Sequence, residues 1–181
     1  MKNHIANVID LELNDWKIIE IGLTTVDLKK KSIVKTYSIP ILPSVFMPLT
    51  PEIEELTGWT DKKLAKSGIY FSAALDRLQN KYGSKGRLTI VDTDNEINAF
   101  KTNIFKTMSS TLSLYDEIDE IMPFGEDHIN VSTLFKIKTG IFENLSLIKM
   151  LKHYKIEFEG KHHRADADSY NIAKLFLELI K

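Results

Sequence analysis

Three short stretches hold acids where acids are expensive. They are Val8-Ile9-Asp10-Leu11-Glu12, Ile90-Val91-Asp92-Thr93-Asp94 and His163-Arg164-Ala165-Asp166-Ala167-Asp168. The first two are apolar and β-branched, and the third opens a strongly apolar helical pattern. Carboxylates in such surroundings need a compensating positive charge. Divalent cations are the obvious compensators. Hard oxygen ligands in a chain without cysteine point to Mg²⁺ or Mn²⁺ rather than Zn²⁺. The chemistry such a site opens is two-metal hydrolysis.

Spacing sharpens the reading. Side chains alternate along a strand, so Asp10 and Glu12 project from one side, roughly 7 Å apart. A lone Asp-x-Glu on an edge strand simply faces water, but Val8, Ile9, Leu11 and Leu13 indicate a strand covered on both faces. Asp94 ends an apolar strand and begins a helical pattern. An N-cap explains it equally well, although ligand sites also gather at strand ends in α/β sheets. Asp92, two residues earlier, competes for the same role, with Asp94 preferred. Asp168 heads a stripe of Ile172, Leu175, Phe176 and Leu179, which puts it on the inward face of the last helix. Asp166 falls on another side. His163 lies in the approach to that helix, where a loop can present it to solvent and substrate.

The elements that must position these residues follow from the pattern. Asn7–Leu13, Lys17–Val26 and Ser32–Ile41 read as strands joined by turns short enough for an antiparallel meander. Irregular, proline-bearing chain runs from Pro40 to Pro51, followed by a turn at Leu56-Thr57-Gly58-Trp59-Thr60. Phe71, Ala74, Leu75, Leu78 and Tyr82 mark a helix closed by Gly83. Arg87–Asp92 is a short strand, Ile97, Phe100, Ile104 and Met108 line a helix, and His128–Ser132 reads as another strand. A helix starts near Asn144, and a last one runs from about Asp166 to Ile180. Strands first, then strand and helix in alternation, imply an α/β fold with a mixed central sheet and helices on both faces. One domain spanning 1–181 is expected.

Composition narrows the functions. Apolar residues make up 43% and charged residues 27% of the 181, as in ordinary globular proteins. No apolar run is long enough to span a bilayer, so no membrane partner is expected. The lack of cysteine fits an intracellular, cytoplasmic protein and excludes disulfides, thiolate metal sites and cysteine nucleophiles. A net charge of −1 gives no broad grip on duplex nucleic acid, which leaves room for an enzyme that holds a short strand end. Lysine runs at Lys29–Lys31 and Lys62-Lys63 read as solvated turns, whereas Lys161-His162-His163-Arg164 flanks the candidate acids. The stretch from Leu114 to Asp127 is acidic, with no Lys or Arg, and is ill suited to follow a phosphate backbone.

Taken together, Asp10, Glu12, Asp94, His163 and Asp168 resemble the DEDDh group of 3′-to-5′ exonucleases on a ribonuclease H-like fold. The pattern is Asp-x-Glu on the first strand, an Asp between a middle strand and helix, and His-x-x-x-x-Asp at the last helix. Lys17-Ile18-Ile19-Glu20-Ile21-Gly22 and Leu56-Thr57-Gly58-Trp59-Thr60 are similar to that group's second strand and Leu-Thr-Gly-Ile-Thr turn. Ile129-Asn130-Val131, Phe158-Glu159-Gly160 and Asn171-Ile172-Ala173 resemble the subgroup that trims RNA 3′ ends. The chain departs from the pattern at Leu13-Asn14 and at Ile90-Val91, where members often carry Thr and Trp-Gly.

The resemblance implies a single-stranded 3′ end as substrate, RNA slightly favoured over DNA, and nucleoside 5′-monophosphates as product. It implies two divalent ions, Mg²⁺ or Mn²⁺, held by Asp10, Glu12, Asp94 and Asp168. His163 would be the general base, and an imidazole that titrates near neutrality suits that work. Leu13, Leu56 and Trp59 would sit near the terminal nucleotide, Trp59 by stacking. Core or turn packing explains these three equally well, and Glu20 reads as structural. Two other readings stand beside this one: a non-catalytic nucleic-acid or protein-binding module on the same fold, and a proofreading exonuclease serving a DNA polymerase.

Overall fold

The computed structural model describes residues 4–42, 47–108 and 116–181, except the side chains of Met108, Asp116, Glu117 and Asp119. The first two residues of the acidic stretch, Leu114 and Tyr115, therefore lie outside the described residues, as does part of the proline-bearing segment. The first three strands, β1 (Ile5–Asn14), β2 (Lys17–Asp27) and β3 (Ser32–Pro40), form the expected antiparallel meander. Asp15 takes the left-handed conformation in the first turn, and Asp27 Oδ1 accepts from the N–H groups of Lys29 and Lys30 in the second. Two short strands, β4 (Thr89–Val91) and β5 (His128–Asn130), run parallel to β1, giving the sheet order β3-β2-β1-β4-β5. The mixed sheet is the one expected.

Alternation along the central strands decides what lies where. Ala6 and Val8 on β1, Val26 on β2 and Ile90 on β4 are fully buried on one face. There they meet α6 (Val131–Thr139), α7 (Leu147–His153) and α8 (Ala165–Leu179). Ile9, Ile21, Leu23 and Val91 face the other way, toward α3 (Phe71–Asp76), α4 (Asn95–Met108) and α5 (Asp116–Ile121). A small third cluster of Ile19, Leu49 and Leu64 seats α1 (Pro51–Thr57) and α2 (Asp61–Ser67). Helix α8 buries Ile172, Leu175, Phe176 and Leu179, the predicted stripe.

Several elements differ from the sequence expectation. The segment around Pro51 contains a helix, α1, capped by the Thr50 hydroxyl and ended by Gly58 at φ 75°. A second helix, α2, follows at once, capped by Thr60. The strand expected over His128–Ser132 stops at Asn130, because the Asn130 side chain accepts from Thr133 N–H and opens α6. The helix expected near Asn144 begins at Leu147.

One close approach ties the last helix to the sheet. A Cβ placed on Gly22 of β2 would lie 1.7 Å from the Ala165 carbonyl oxygen, so only glycine lets the start of α8 rest on β2. Gly22→Ala must push α8 away from β2, at a cost of about 2 kcal/mol or more. Urea unfolding should show a clearly lower midpoint, and an unchanged midpoint would mean that α8 does not sit this close.

Candidate active site

The inward row of β1 continues past its apolar part. Ala6 and Val8 lie under the helices, and Asp10 and Glu12 extend the same row. Ile9 of β1 and Val91 of β4 are paired in parallel register, so Asp10 and Asp92 stand next to each other just beyond that pair. Above them α8 presents Asp168, which is 6% exposed, ahead of its buried Ile172. Ligand atoms of Asp10, Glu12 and Asp168 lie within 4.8 Å of one another. These three and Asp92 line a cleft of about 280 Å³, closed by Leu11, Ser146, Leu147, His162, His163 and Ile172.

Burial first, with repulsion between neighbours added to it at Asp10, Glu12 and Asp168, raises the pKa of all four carboxylates. Burial, and then Asp168 and Glu12, raise the Asp10 pKa well above its ordinary range. Glu12 is raised to about 8 by burial, then by Asp168 and Glu20. Asp168 is raised to about 6, chiefly by burial, against the hydrogen bond it accepts from His163. Burial also raises Asp92, although its Oδ1 accepts from the Ser132 hydroxyl at 2.8 Å. Glu96 adds a fifth negative group within electrostatic reach of Asp10. It is raised to about 7 by burial while its Oε2 accepts from the backbone and hydroxyl of Thr93.

The Asp168 carboxylate divides its work. Oδ2 accepts from the backbone N–H of His163 at 2.9 Å, while Oδ1 is buried without a hydrogen-bond partner among the described residues. Its nearest cation-capable neighbour is His162 Nε2 at 3.8 Å. A buried, unpartnered carboxylate oxygen beside two further carboxylates is what a hard cation would satisfy. The donor set fits Mg²⁺ or Mn²⁺.

His163 sits at the cleft with φ 64°, a left-handed backbone that only its surroundings can hold in place. Burial lowers its pKa, as do the neighbouring His162 and Lys161, while Asp168 opposes them. The balance favours the neutral ring.

Asp94 does not join the cleft. Strand β4 ends at Val91 and the chain then turns into α4, so the strand alternation that aims Asp92 inward is lost by residue 94. Its carboxylate is exposed, accepts from His128 Nε2 at 2.9 Å, and keeps a lowered pKa because of that bond. It lines a separate cleft of about 440 Å³ with Asn130, Thr133 and Lys136.

The residues expected to touch substrate also lie off the cleft lining. Leu13 packs on the α3–α4 core, and Leu56 is a 38% exposed residue of α1. Trp59 donates its indole N–H to Glu20 Oε2 at 2.8 Å and carries the Arg164 guanidinium 4.7 Å from its ring centre. That face of the ring is taken. Leu11 and His162, which the sequence reading passed over, do line the cleft.

The fold and site have known counterparts. The exonuclease family profile of the RNase T type matches residues 8–176. The nuclease domain of 3′hExo, a DEDDh family member bound to rAMP, is 18% identical. It superposes with a TM-score of 0.81 over 99% of this chain and 92% of that one. Exonuclease X in complex with 5′ overhanging duplex DNA is also 18% identical, with a TM-score of 0.63 over 97% and 90% of the two chains. S. pombe Pop2p in its Mg²⁺- and Mn²⁺-bound form is 17% identical, with a TM-score of 0.65 over 97% and 81%. No curated protein matches the sequence. The fold is the ribonuclease H-like exonuclease fold, and the protein is a nuclease, a hydrolase. The chain belongs to the exonuclease family. Among the described residues no helix is long and apolar enough to cross a membrane.

The raised carboxylates set the sign of a pH effect. Glu12 titrates at its ordinary 4.5 in the unfolded chain and at about 8 when folded. In between, the folded state binds the extra proton, so stability falls as pH rises. His163, lowered from 6.5, opposes this only below that value, which leaves pH 6.5–8 chiefly to Glu12, with Glu96 at its lower end. The metal-free protein should lose thermal stability steadily across that window, and Glu12→Gln should flatten the slope. A melting temperature that rises from pH 6.5 to 8 in the wild type would contradict this electrostatic picture.

Proposed function

We propose that the protein is a metal-dependent 3′-to-5′ exonuclease that releases nucleoside 5′-monophosphates from single-stranded ends, RNA slightly favoured. The observation that carries the proposal is the cluster of Asp10, Glu12 and Asp168 within 4.8 Å, with a buried Asp168 oxygen left unpartnered. Support for a strand end comes from the cleft, whose roughly 280 Å³ admits one nucleotide rather than the side of a duplex. A net charge of −1 likewise offers no long phosphate grip. Bound rAMP in 3′hExo supports RNA, and the Mg²⁺ and Mn²⁺ of Pop2p support the metals.

In this reading Asp10, Glu12, Asp92 and Asp168 hold two divalent ions, with Asp92 in the place first given to Asp94. Such ions, when bound, supply an activated water and stabilise the departing 3′ oxygen. Ser132 fixes the rotamer of Asp92 through its hydroxyl. Asp168 fixes the backbone of His163 with one oxygen and keeps the other for a cation. His163, whose surroundings favour the neutral ring, accepts the proton of the attacking water. Leu11 and Leu147 form apolar walls that help exclude bulk water from the cleft.

Labelled RNA and DNA oligonucleotides, single- and double-stranded and blocked at either end, test the reading with Mg²⁺, Mn²⁺ or chelator. Mononucleotides should appear from free 3′ ends only, and only with metal. Release from the 5′ end, or activity undiminished by chelator, sinks it.

Single substitutions assign the roles. Asp92→Asn should lower kcat on the order of a hundredfold or more, while Asp94→Asn stays close to wild type. The reverse order would restore Asp94 as the ligand. His163→Ala should lower kcat by about 10²–10⁴-fold with little change in KM; an unaltered rate removes it as the base.

A further inference from the structure

Glu20 and Arg164 form a buried arrangement that the chemistry above does not use. Glu20 lies on β2, fully buried, and directly opposes Glu12 in the β1–β2 register. Its carboxylate accepts from Arg164 Nε at 3.0 Å and Nη2 at 2.9 Å, a two-pronged pair. It also accepts from the Ser38 hydroxyl at 2.5 Å, the Trp59 indole at 2.8 Å and the backbone N–H of Ala165 at 3.3 Å. One side chain thus fastens β2 to β3, to the turn after α1 and to the entry of α8.

The entry of α8 is where His163 sits. Three consecutive residues are pinned there: the His163 N–H to Asp168 Oδ2, the Arg164 side chain to Glu20, and the Ala165 N–H to Glu20. The Ala165 carbonyl oxygen rests where a Cβ of Gly22 would stand. His163 holds a left-handed backbone inside this clamp, which an isolated loop would not keep.

We propose that Arg164 and Glu20 are positioning residues that hold the His163 imidazole at its working angle, with Trp59 bracing Glu20 rather than stacking on substrate. The proposal rests on His163 acting as the general base. Arg164 is the natural rival for a phosphate contact, but its Nε and Nη2 already face Glu20 and its plane lies over Trp59. With Nε and Nη2 engaged, its two-pronged fork is not available to a phosphate. Fixing a reacting group to within an ångström is worth up to about a hundredfold in rate.

Arg164→Lys keeps the charge and loses the fork. In the full-length protein with Mn²⁺ and a single-stranded oligonucleotide, it should lower kcat by about tenfold or more and leave KM near wild type. Trp59→Phe, which removes one bond to Glu20, should move kcat the same way by less. Because Arg164 acts through His163, Arg164→Lys placed in a His163→Ala background should add no further loss. Hydrogen exchange in the metal-free protein gives a readout independent of activity. The amides of His163 and Ala165 should exchange markedly faster in Arg164→Lys while those of β1 do not.

Additive losses in the double variant would overturn the proposal, and so would a raised KM at constant kcat, the mark of a phosphate contact. Unchanged exchange at both amides would overturn it whatever the catalytic result. A wild-type protein without nuclease activity would instead fell the catalytic reading, and the exchange data would still decide whether the clamp exists.

Discussion

Everything in this molecule turns on keeping like charges together. Asp10 and Glu12 cannot relieve their repulsion by turning outward, because a one-residue slip of β1 would carry Ala6 and Val8 off the apolar face. Asp92 is bound by the same restriction through the Ile9–Val91 register. Asp168 is held by the stripe of Ile172, Leu175, Phe176 and Leu179 below it. The hydrophobic core therefore fixes the acids, and the acids accept protons in place of moving apart. Burial first, and the neighbouring acids after it, raise Glu12 to about 8 and Asp168 to about 6.

The strand next door shows how such a charge is handled when no function asks for it bare. Glu20 faces Glu12 across the β1–β2 pair, a juxtaposition that costs stability when uncompensated. Four neighbouring groups satisfy Glu20 through five hydrogen bonds, and despite full burial its pKa stays below the ordinary value. Among the described residues Glu12 has no comparable set of donors. Two glutamates a strand apart differ because one is fully paired and the other is left to the cleft.

Much of this arrangement was legible in the chain. Period-2 alternation in β1 put Asp10 and Glu12 on one side, and the spacing of Ile172, Leu175, Phe176 and Leu179 put Asp168 inward. Both statements depend on long periodic elements. The middle acid was harder to read, since β4 has only Thr89–Val91 and three residues set no phase. Where the strand ends decides between Asp92 and Asp94, and strand ends are the least readable feature of a sequence. The helices α1, α2 and α6 had signals of their own: Thr50 before Pro51, Thr60 four residues before Leu64, and Asn130 with Gly140 after the last turn. At α6, β-branched Val131 and the preceding strand masked the cap. Leu13, Leu56 and Trp59 were placed by analogy alone. The Trp59 indole instead answers a buried carboxylate, a contact across 39 positions that no local pattern contains.

The positive end of α8 shows why the backbone alone cannot balance the cleft. Asp168 lies in the first turn of a 15-residue helix, whose N-terminal dipole favours an anion by about 0.3–1 kcal/mol. Its Oδ2 takes one backbone N–H besides. Desolvation of a carboxylate costs several kcal/mol after relaxation, and three more acids stand beside it. Lys161 is exposed and directed toward the Glu55 carbonyl, while Arg164 is committed to Glu20. Of the flanking cations, only the two imidazoles line the cleft, His163 is held toward its neutral form, and Arg164 does no more than oppose the rise at Glu12. The negative charge therefore exceeds what dipoles and side chains supply. That leaves protons or external cations to make up the difference, and the two compete for the same oxygens as pH changes.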